Sequence, residues 1–175
     1  MKLLIFLPVA ILFSFEISAE ITNISKQGFV SEHSLSIKAT PERIYRALTR
    51  EIHLWWDAEH SHSGDADNFY LEDEPGGCFC EKLADGGVMH MQVVFADKGK
   101  RLRLQGGLGP LQEFGLAGSM QFALEATDEH FTRLSYQYAV GGYHPDGLDV
   151  FANPVDQVQL GQLQRLKRFV EGGSP

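Results

Sequence analysis

The sequence predicts an α+β domain: one antiparallel sheet with a single apolar face, two short helices after its first strand, and a long amphipathic helix at its C-terminal end. Three observations carry this. Runs with apolar residues on alternate positions recur between Gly28 and Val140, the pattern of half-buried strands. Asp85-Gly86 sits between two such runs as a hairpin signal. From Val155 to Val170 the apolar spacing changes to that of a helix with one buried stripe.

Composition agrees. The chain has 175 residues, of which 43% are hydrophobic, 22% charged and 11% aromatic, which excludes a disordered or fibrous chain. At this length one domain is expected, burying about 70% of its unfolded surface. Formal charge is −8, from 15 Lys+Arg against 23 Asp+Glu. No basic cluster offsets it, so neither a nucleic-acid partner nor anionic headgroups are expected.

Residues Met1 to Ala19 have the layout of a signal peptide. Lys2 is a minimal positive region, Leu3 to Phe15 form the apolar run, and Ile17-Ser18-Ala19 supplies small residues for cleavage. A retained membrane anchor needs about 20 apolar residues, and Pro8 and Glu16 argue against one. Secretion, to a bacterial periplasm, with cleavage after Ala19 is the expectation. It leaves a single domain over residues 20–175 and no stable membrane anchor.

Within that domain, Gly28 to Lys38 alternates, with Phe29, Leu35 and Ile37 on one face and Val30, Glu32, Ser34, Ser36 and Lys38 on the other. Thr40-Pro41-Glu42 reads as a helix start, Thr40 capping and Pro41 at the first helical position. Ile44, Ala47 and Leu48 form that helix's buried stripe. Leu54-Trp55-Trp56 reads as a second short helix or turn with an aromatic plug, and a polar loop runs from Asp57 to Asn68. Strands are expected over 69–72, 78–83, 88–96, 101–105, 119–125 and 133–140, with Glu74-Pro75-Gly76-Gly77 breaking the chain between the first two. In the last helix Asn153 reads as the N-cap, Pro154 as the first residue and Asp156 as a first-turn anion favoured by the helix dipole. Gly172-Gly173 ends it.

The order of these features resembles the START-like, polyketide-cyclase-like superfamily (SRPBCC), in the branch related to activators of the 90-kDa heat-shock protein ATPase. The residues that carry the resemblance are Ala39-Thr40-Pro41-Glu42-Arg43-Ile44-Tyr45, Leu54-Trp55-Trp56, Pro75-Gly76-Gly77, and Pro154-Val155 through Leu166-Lys167-Arg168-Phe169. It covers about residues 28–171. The resemblance implies a helix-grip fold, a seven-stranded antiparallel sheet wrapped around the long helix. It also implies an apolar cavity for lipids, polyketides or similar molecules. The superfamily shares no single reaction, so function rests on the chain's own site.

Pleat arithmetic gives the expected cavity lining. Centring the hairpin on Asp85-Gly86 sets Lys82 opposite Met89, Cys80 opposite Met91 and Cys78 opposite Val93. Cys78, Cys80, Met89, Met91, Val93 and Phe95 then face inward. Later strands add Leu102, Leu104, Met120, Phe122, Leu124, Leu134, Tyr136, Tyr138 and Val140. The helix adds Gln159, Gln162 and Leu163, and the aromatic plug adds Trp56. The candidate ligand-binding residues are Trp56, Met89, Met91, Met120, Phe122, Tyr136, Tyr138, Gln159, Gln162 and Leu163. Tyr136, Tyr138, Gln159 and Gln162 are its polar members, free either to bond a ligand or to pair with one another.

In a regular strand Cys78 and Cys80 would lie about 6.6 Å apart at Cα, near the roughly 6.8 Å limit for a disulfide. They are bridged if the strand bulges, and otherwise buried or liganded. A soft-metal site with Met89 and Met91 is outweighed by ordinary core packing, and no metal or cofactor is expected. The same register sets Glu81 opposite His90 on the outer face, as a surface pair worth about 0.2–1 kcal/mol. A slip of one residue would invert both assignments. His60-x-His62 and Asp65-x-Asp67 have zinc-type ligands but read better as loop solvation. His144 falls in another loop at the expected mouth. Gly106-Gly107-Leu108-Gly109-Pro110 lacks the lysine of a phosphate loop, and no nucleophile-elbow or His-Glu-x-x-His motif is present.

Two function classes follow. The first is an exported binding protein for a small hydrophobic ligand such as a lipid or polyketide. The second is a cyclase- or hydrolase-type enzyme using His60, His62, Asp57 or Tyr138 at the mouth. Co-chaperone action is discounted, because a secreted chain meets no ATP-driven partner.

Overall fold

The computed structural model describes residues 19–175. Most of the signal-peptide segment, Met1 to Ser18, lies outside the described residues. The elements are β1 (Ala19–Ser25), β2 (Gly28–Ile37), α1 (Pro41–Arg50), β3 (Phe69–Leu71), β4 (Cys78–Leu83), β5 (Gly86–Asp97), β6 (Arg101–Gly106), α2 (Pro110–Glu113), β7 (Ala117–Ala126), β8 (Thr132–Gly141) and α3 (Asp149–Val170). The strands form one antiparallel sheet in the order β1-β2-β8-β7-β6-β5-β4-β3. Its inner face packs against α3, which rests on β1, β2 and α1.

Local chemistry sets these elements. Inner-face positions of β2 are buried in strict alternation, Phe29, Ser31, His33, Leu35 and Ile37. The Thr40 side chain accepts from the Arg43 amide at 3.3 Å, capping α1 with Pro41 at its first position. Ile44, Ala47 and Leu48 are buried as the periodicity predicts. A 3-10 turn at Ile52–Leu54 leads into buried Trp55, whose Nε1–H donates to the Ala47 carbonyl at 2.9 Å.

Four expectations need correction. The sheet has eight strands, not seven. The added one is β1, an edge strand joined to β2 through Lys26-Gln27 and pairing on one side only. The β4–β5 turn is Ala84-Asp85, with Leu83 opposite Gly86. Primed hairpin turns centred there would need positive φ at Ala84, and among the described residues only glycines have it. A bulge follows, so Cys80 pairs with Met89 and Phe79 with Met91, leaving His90 as the extra residue. A second bulge at Val94 sets Phe95 opposite Arg103 on the outer face.

The consequence is an inverted β4. Phe79 and Glu81 point inward and Cys80 points outward with its cross-strand partners Tyr70 and Met89. On β5, Met89 is 56% exposed, whereas His90 and Met91 are buried. The Cys78–Cys80 Cα separation is 5.4 Å, shorter than in a regular strand, and the two form a disulfide.

The fourth correction concerns α3, which starts at Asp149 and runs through Asn153-Pro154, so Asn153 is not its cap and Pro154 is internal. Buried Leu148 and Ala152 hold the added turn against the core. Asp156 is therefore not a first-turn anion. It is buried. The short helix α2 was not anticipated. Gly109, at φ 54 and ψ −133, makes the glycine-only reversal that starts it, and buried Leu111 anchors it.

Candidate functional site

Between α3 and the β3–β5 end of the sheet lies a cavity of about 410 Å³. One wall is α3, through Phe151, Pro154, Val155, Val158 and Gln159. The facing wall is Trp56, Phe69 and His90, and the 108–111 segment closes a third side. Exposed lining residues Glu59, His60, His62, Pro110 and Glu113 mark the mouth. The interior is apolar, with few polar groups, which is the composition of small-molecule sites.

His90 is the chemically distinctive lining group. It is 5% exposed, and its Nε2 lies 3.1 Å from Oε2 of Glu81, itself 1% exposed. Phe69 and Phe79, 5.7 Å from each other, both pack against the imidazole with ring centroids 5.3 Å away, and the His62 ring stacks on it at 5.7 Å. Burial alone would raise the Glu81 carboxyl. Hydrogen bonds from the Ser63 side chain, the His62 and Ser63 amides and His90 outweigh it, and the carboxyl is held below its ordinary range. Burial pushes His90 down, against the opposing pull of Glu81. At neutral pH the pair is thus a carboxylate and a neutral imidazole. Its Nε2–H donates to Glu81 and its Nδ1 carries the lone pair.

A second polar cluster lies deeper. Asp156 Oδ1 accepts from Ser31 Oγ at 2.7 Å and sits 2.9 Å from His33 Nε2. His33 Nδ1 is buried with no partner among the described residues. Ser31 Oγ also lies 3.3 Å from His33 Nε2, but both groups converge on the same carboxylate oxygen, so the trio lacks the serine–imidazole–carboxylate order of a nucleophile and its base.

Of the ten candidate residues, Trp56 and Gln159 line the cavity. Gln159 Oε1 accepts from the Tyr136 hydroxyl at 2.8 Å, and Gln162 Oε1 accepts from the Asp57 amide at 3.0 Å. The Tyr138 hydroxyl donates to the Gly106 carbonyl and accepts from the Leu108 amide, both at 3.3 Å. Burial pushes Tyr138 up to about 12, the Leu108 amide opposing. Of these polar groups Tyr136 and Gln159 pair with each other, Tyr138 and Gln162 bond backbone, and Gln162 Nε2 is buried with no partner among the described residues. Met91, Met120, Phe122 and Leu163 are buried in the core, and Met89 sits on the outer face because of the bulge.

In the loop, Asp57 caps the turn at Ala58–His60 by accepting from the Glu59 amide. Among the described residues no group of three His, Cys, Asp or Glu side chains is placed to hold a metal ion. His144 packs edge-on against Phe114 and Phe151, both at 5.0 Å, beside the cavity. Two features escaped the sequence reading. Ser31 and His33 share the parity of Phe29 and Leu35, which was a usable signal. The inward turn of Glu81 and His90 depended on a bulge the sequence does not mark.

No protein-family model matches the sequence, and no curated protein is significantly similar to it. Solved structures are similar in fold. CalU16 from Micromonospora echinospora superposes with a TM-score of 0.58 at 14% identity, over 91% of this chain and 85% of its own. An Aha1 dimer subunit from Colwellia psychrerythraea gives 0.56 at 20% identity, over 83% of this chain and 98% of its own. DynU16, from the dynemicin biosynthetic locus, gives 0.58 at 18% identity over 83% of this chain, which spans about half (48%) of that longer protein. At this identity the likeness speaks for architecture, and the eight-stranded antiparallel sheet around a long C-terminal helix is the helix-grip α+β fold those structures share.

Proposed function

We propose that the protein is an exported binding protein for a small hydrophobic molecule, held between the sheet and α3. The observation that supports this best is the cavity of about 410 Å³, within the usual range for ligand sites and walled by Trp56, Phe69, Phe151, Val155 and Val158. The net charge of −8 argues against nucleic acid as the partner. Among the described residues no helix is long and apolar enough to cross a membrane. Native mass spectrometry of protein recovered from the export compartment tests both halves of the reading. A chain beginning at Glu20 with a retained small apolar mass is expected. A chain that keeps Met1 defeats the export half, and a consistently empty protein that takes up no apolar probe defeats the binding half.

A second reading, an acid–base enzyme acting on a hydrophobic substrate, is favoured by one observation: His90, backed by Glu81, faces the same cavity. Tyr138 no longer supports it, because its hydroxyl is bonded on both sides by backbone. Turnover of an ester or enolisable probe that disappears in His90→Leu would favour this reading over simple binding.

A further inference from the structure

This inference rests on the cavity reading above and names the chemistry of its occupant. We propose that the Glu81–His90 pair makes the cavity selective for uncharged molecules that present an O–H group, a phenol, enol or alcohol on an apolar body, and excludes anionic amphiphiles such as fatty acids. The ligand hydroxyl donates to His90 Nδ1.

The geometry assigns the polarity. Nε2 of His90 is committed to Glu81 at 3.1 Å, and Glu81 is held in turn by the His62 and Ser63 amides. A carboxylate that accepts from Nε2 fixes the proton there, so Nδ1 is an acceptor. Nδ1 makes no hydrogen bond to a described residue, and it is not among the buried atoms that lack one. The Phe69 and Phe79 rings pack on one side of the imidazole at 5.3 Å, and the His62 ring stacks on it at 5.7 Å, which restricts its turning. Gln159, also on the inner wall, accepts from Tyr136 through Oε1, which leaves its uncharged amide N–H to donate to a ligand oxygen. The interior thus offers a fixed lone pair to a ligand that brings a donor.

The charges lining the cavity point the same way. Among the described residues its ionisable members are Glu59, Glu113 and the three histidines His60, His62 and His90, with no lysine or arginine. Behind His90 stands a third carboxylate, Glu81. A ligand carboxylate would meet an acceptor at Nδ1 and negative charge at the mouth, with no cation to offset its desolvation. A hydroxyl has no such cost.

Calorimetric titration of the folded protein at neutral pH with four naphthalene probes tests this: 2-naphthol, its methyl ether, 2-naphthoate and 2-naphthylmethylammonium. The naphthol is expected to bind about five- to tenfold more tightly than the ether, the net effect of one hydrogen bond, and naphthoate most weakly. In His90→Leu the preference for naphthol over ether should vanish while ether affinity is retained. Glu81→Gln, in which the imidazole tautomer is no longer fixed, should reduce the preference without abolishing ether binding. Equal binding of naphthol and ether by the unaltered protein overturns the proposal and leaves the cavity reading standing. Tightest binding of naphthoate or of the ammonium overturns it too. Failure of all four to bind removes the cavity reading and the proposal with it. Should either variant fail to fold, the ratio measured on the unaltered protein decides alone.

Discussion

His33 Nε2 lies 2.9 Å from Asp156 Oδ1, and this pair ties the inner face of β2 to the middle of α3. Ser31 donates into the same carboxylate oxygen at 2.7 Å, so one side chain satisfies two buried donors. Removing it leaves them only each other, at 3.3 Å. Asp156→Ala is expected to destabilise the fold by about 3 kcal/mol, the usual cost of breaking a buried hydrogen-bonded pair from one side. Asp156→Asn, which keeps one acceptor oxygen, should lose less. Urea denaturation of both variants checks the order, and an alanine variant within about 1 kcal/mol of the parent would contradict it.

The cavity pair sets the acid limit of stability. Burial lowers the His90 imidazole below its ordinary 6.5, so the unfolded chain takes up a proton there before the folded one does. Glu81 is held below its ordinary 4.5 by hydrogen bonds that outweigh burial, and again the unfolded state binds more proton. Both signs agree: stability is full above about pH 6.5 and declines as the solution is acidified, first through His90 and then, below about pH 4.5, through Glu81. Thermal unfolding followed across this range should show the midpoint dropping from about pH 6.5 downward. His90→Leu should flatten the upper part of that slope and leave the lower part. A midpoint independent of pH down to the carboxylate range would rule out the assigned charge states.

How far the sequence foretold this structure depended on how local each cause was. Helix α1 was legible because Thr40, Pro41 and the Ile44–Ala47–Leu48 stripe all act within one or two turns. Strands β2 and β8 were legible because their alternation is unbroken over ten residues each. Strand β1 was not, because it is an edge strand whose order comes from pairing with β2. The start of α3 was misplaced because Asn153-Pro154 mimics a cap and first position, while packing of Leu148 and Ala152 extends the helix past it. The site suffered most. Glu81 was expected opposite His90 but lies opposite Val88; the two meet only through their side chains, because a two-residue turn at Ala84-Asp85 and a bulge at His90 decide which face they occupy. Those are tertiary outcomes, since burial of Phe79 and Met91 favours the bulged register.

Three buried phenols set the alkaline limit. Burial raises Tyr45 to about 12, with Asp73 adding to it, and burial raises Tyr138 to about 12. Tyr136 is pushed well above its ordinary value, by burial first and then by Tyr138 and Asp156. The folded chain keeps these protons where the unfolded chain releases them near the ordinary 10.0. Stability from this source is complete below about pH 10 and is lost as pH rises towards 12. Ultraviolet difference titration should therefore show phenolate appearing in two stages, exposed tyrosines first, with the second stage accompanied by unfolding. Tyr138→Phe should shift that second stage to higher pH. A single ionisation step with the fold intact would contradict the burial assigned to all three.

Pro154 is the sixth residue of α3 and lines the cavity, so its replacement separates stability from binding. A proline there removes the amide that would bond the Val150 carbonyl and crowds that carbonyl with its ring, a defect worth about 3 kcal/mol in a helix interior. Alanine restores the bond but gives the unfolded chain back about 0.4–1 kcal/mol of freedom. The balance is a gain of about 2 kcal/mol for Pro154→Ala, measurable by denaturant titration. The same substitution strips apolar ring surface from the cavity wall, so an apolar probe such as 2-methoxynaphthalene should bind less tightly to the more stable protein. Loss of stability instead would mean that packing of the Pro154 ring outweighs the hydrogen bond it removes. Unchanged probe affinity would place the ligand away from the α3 wall.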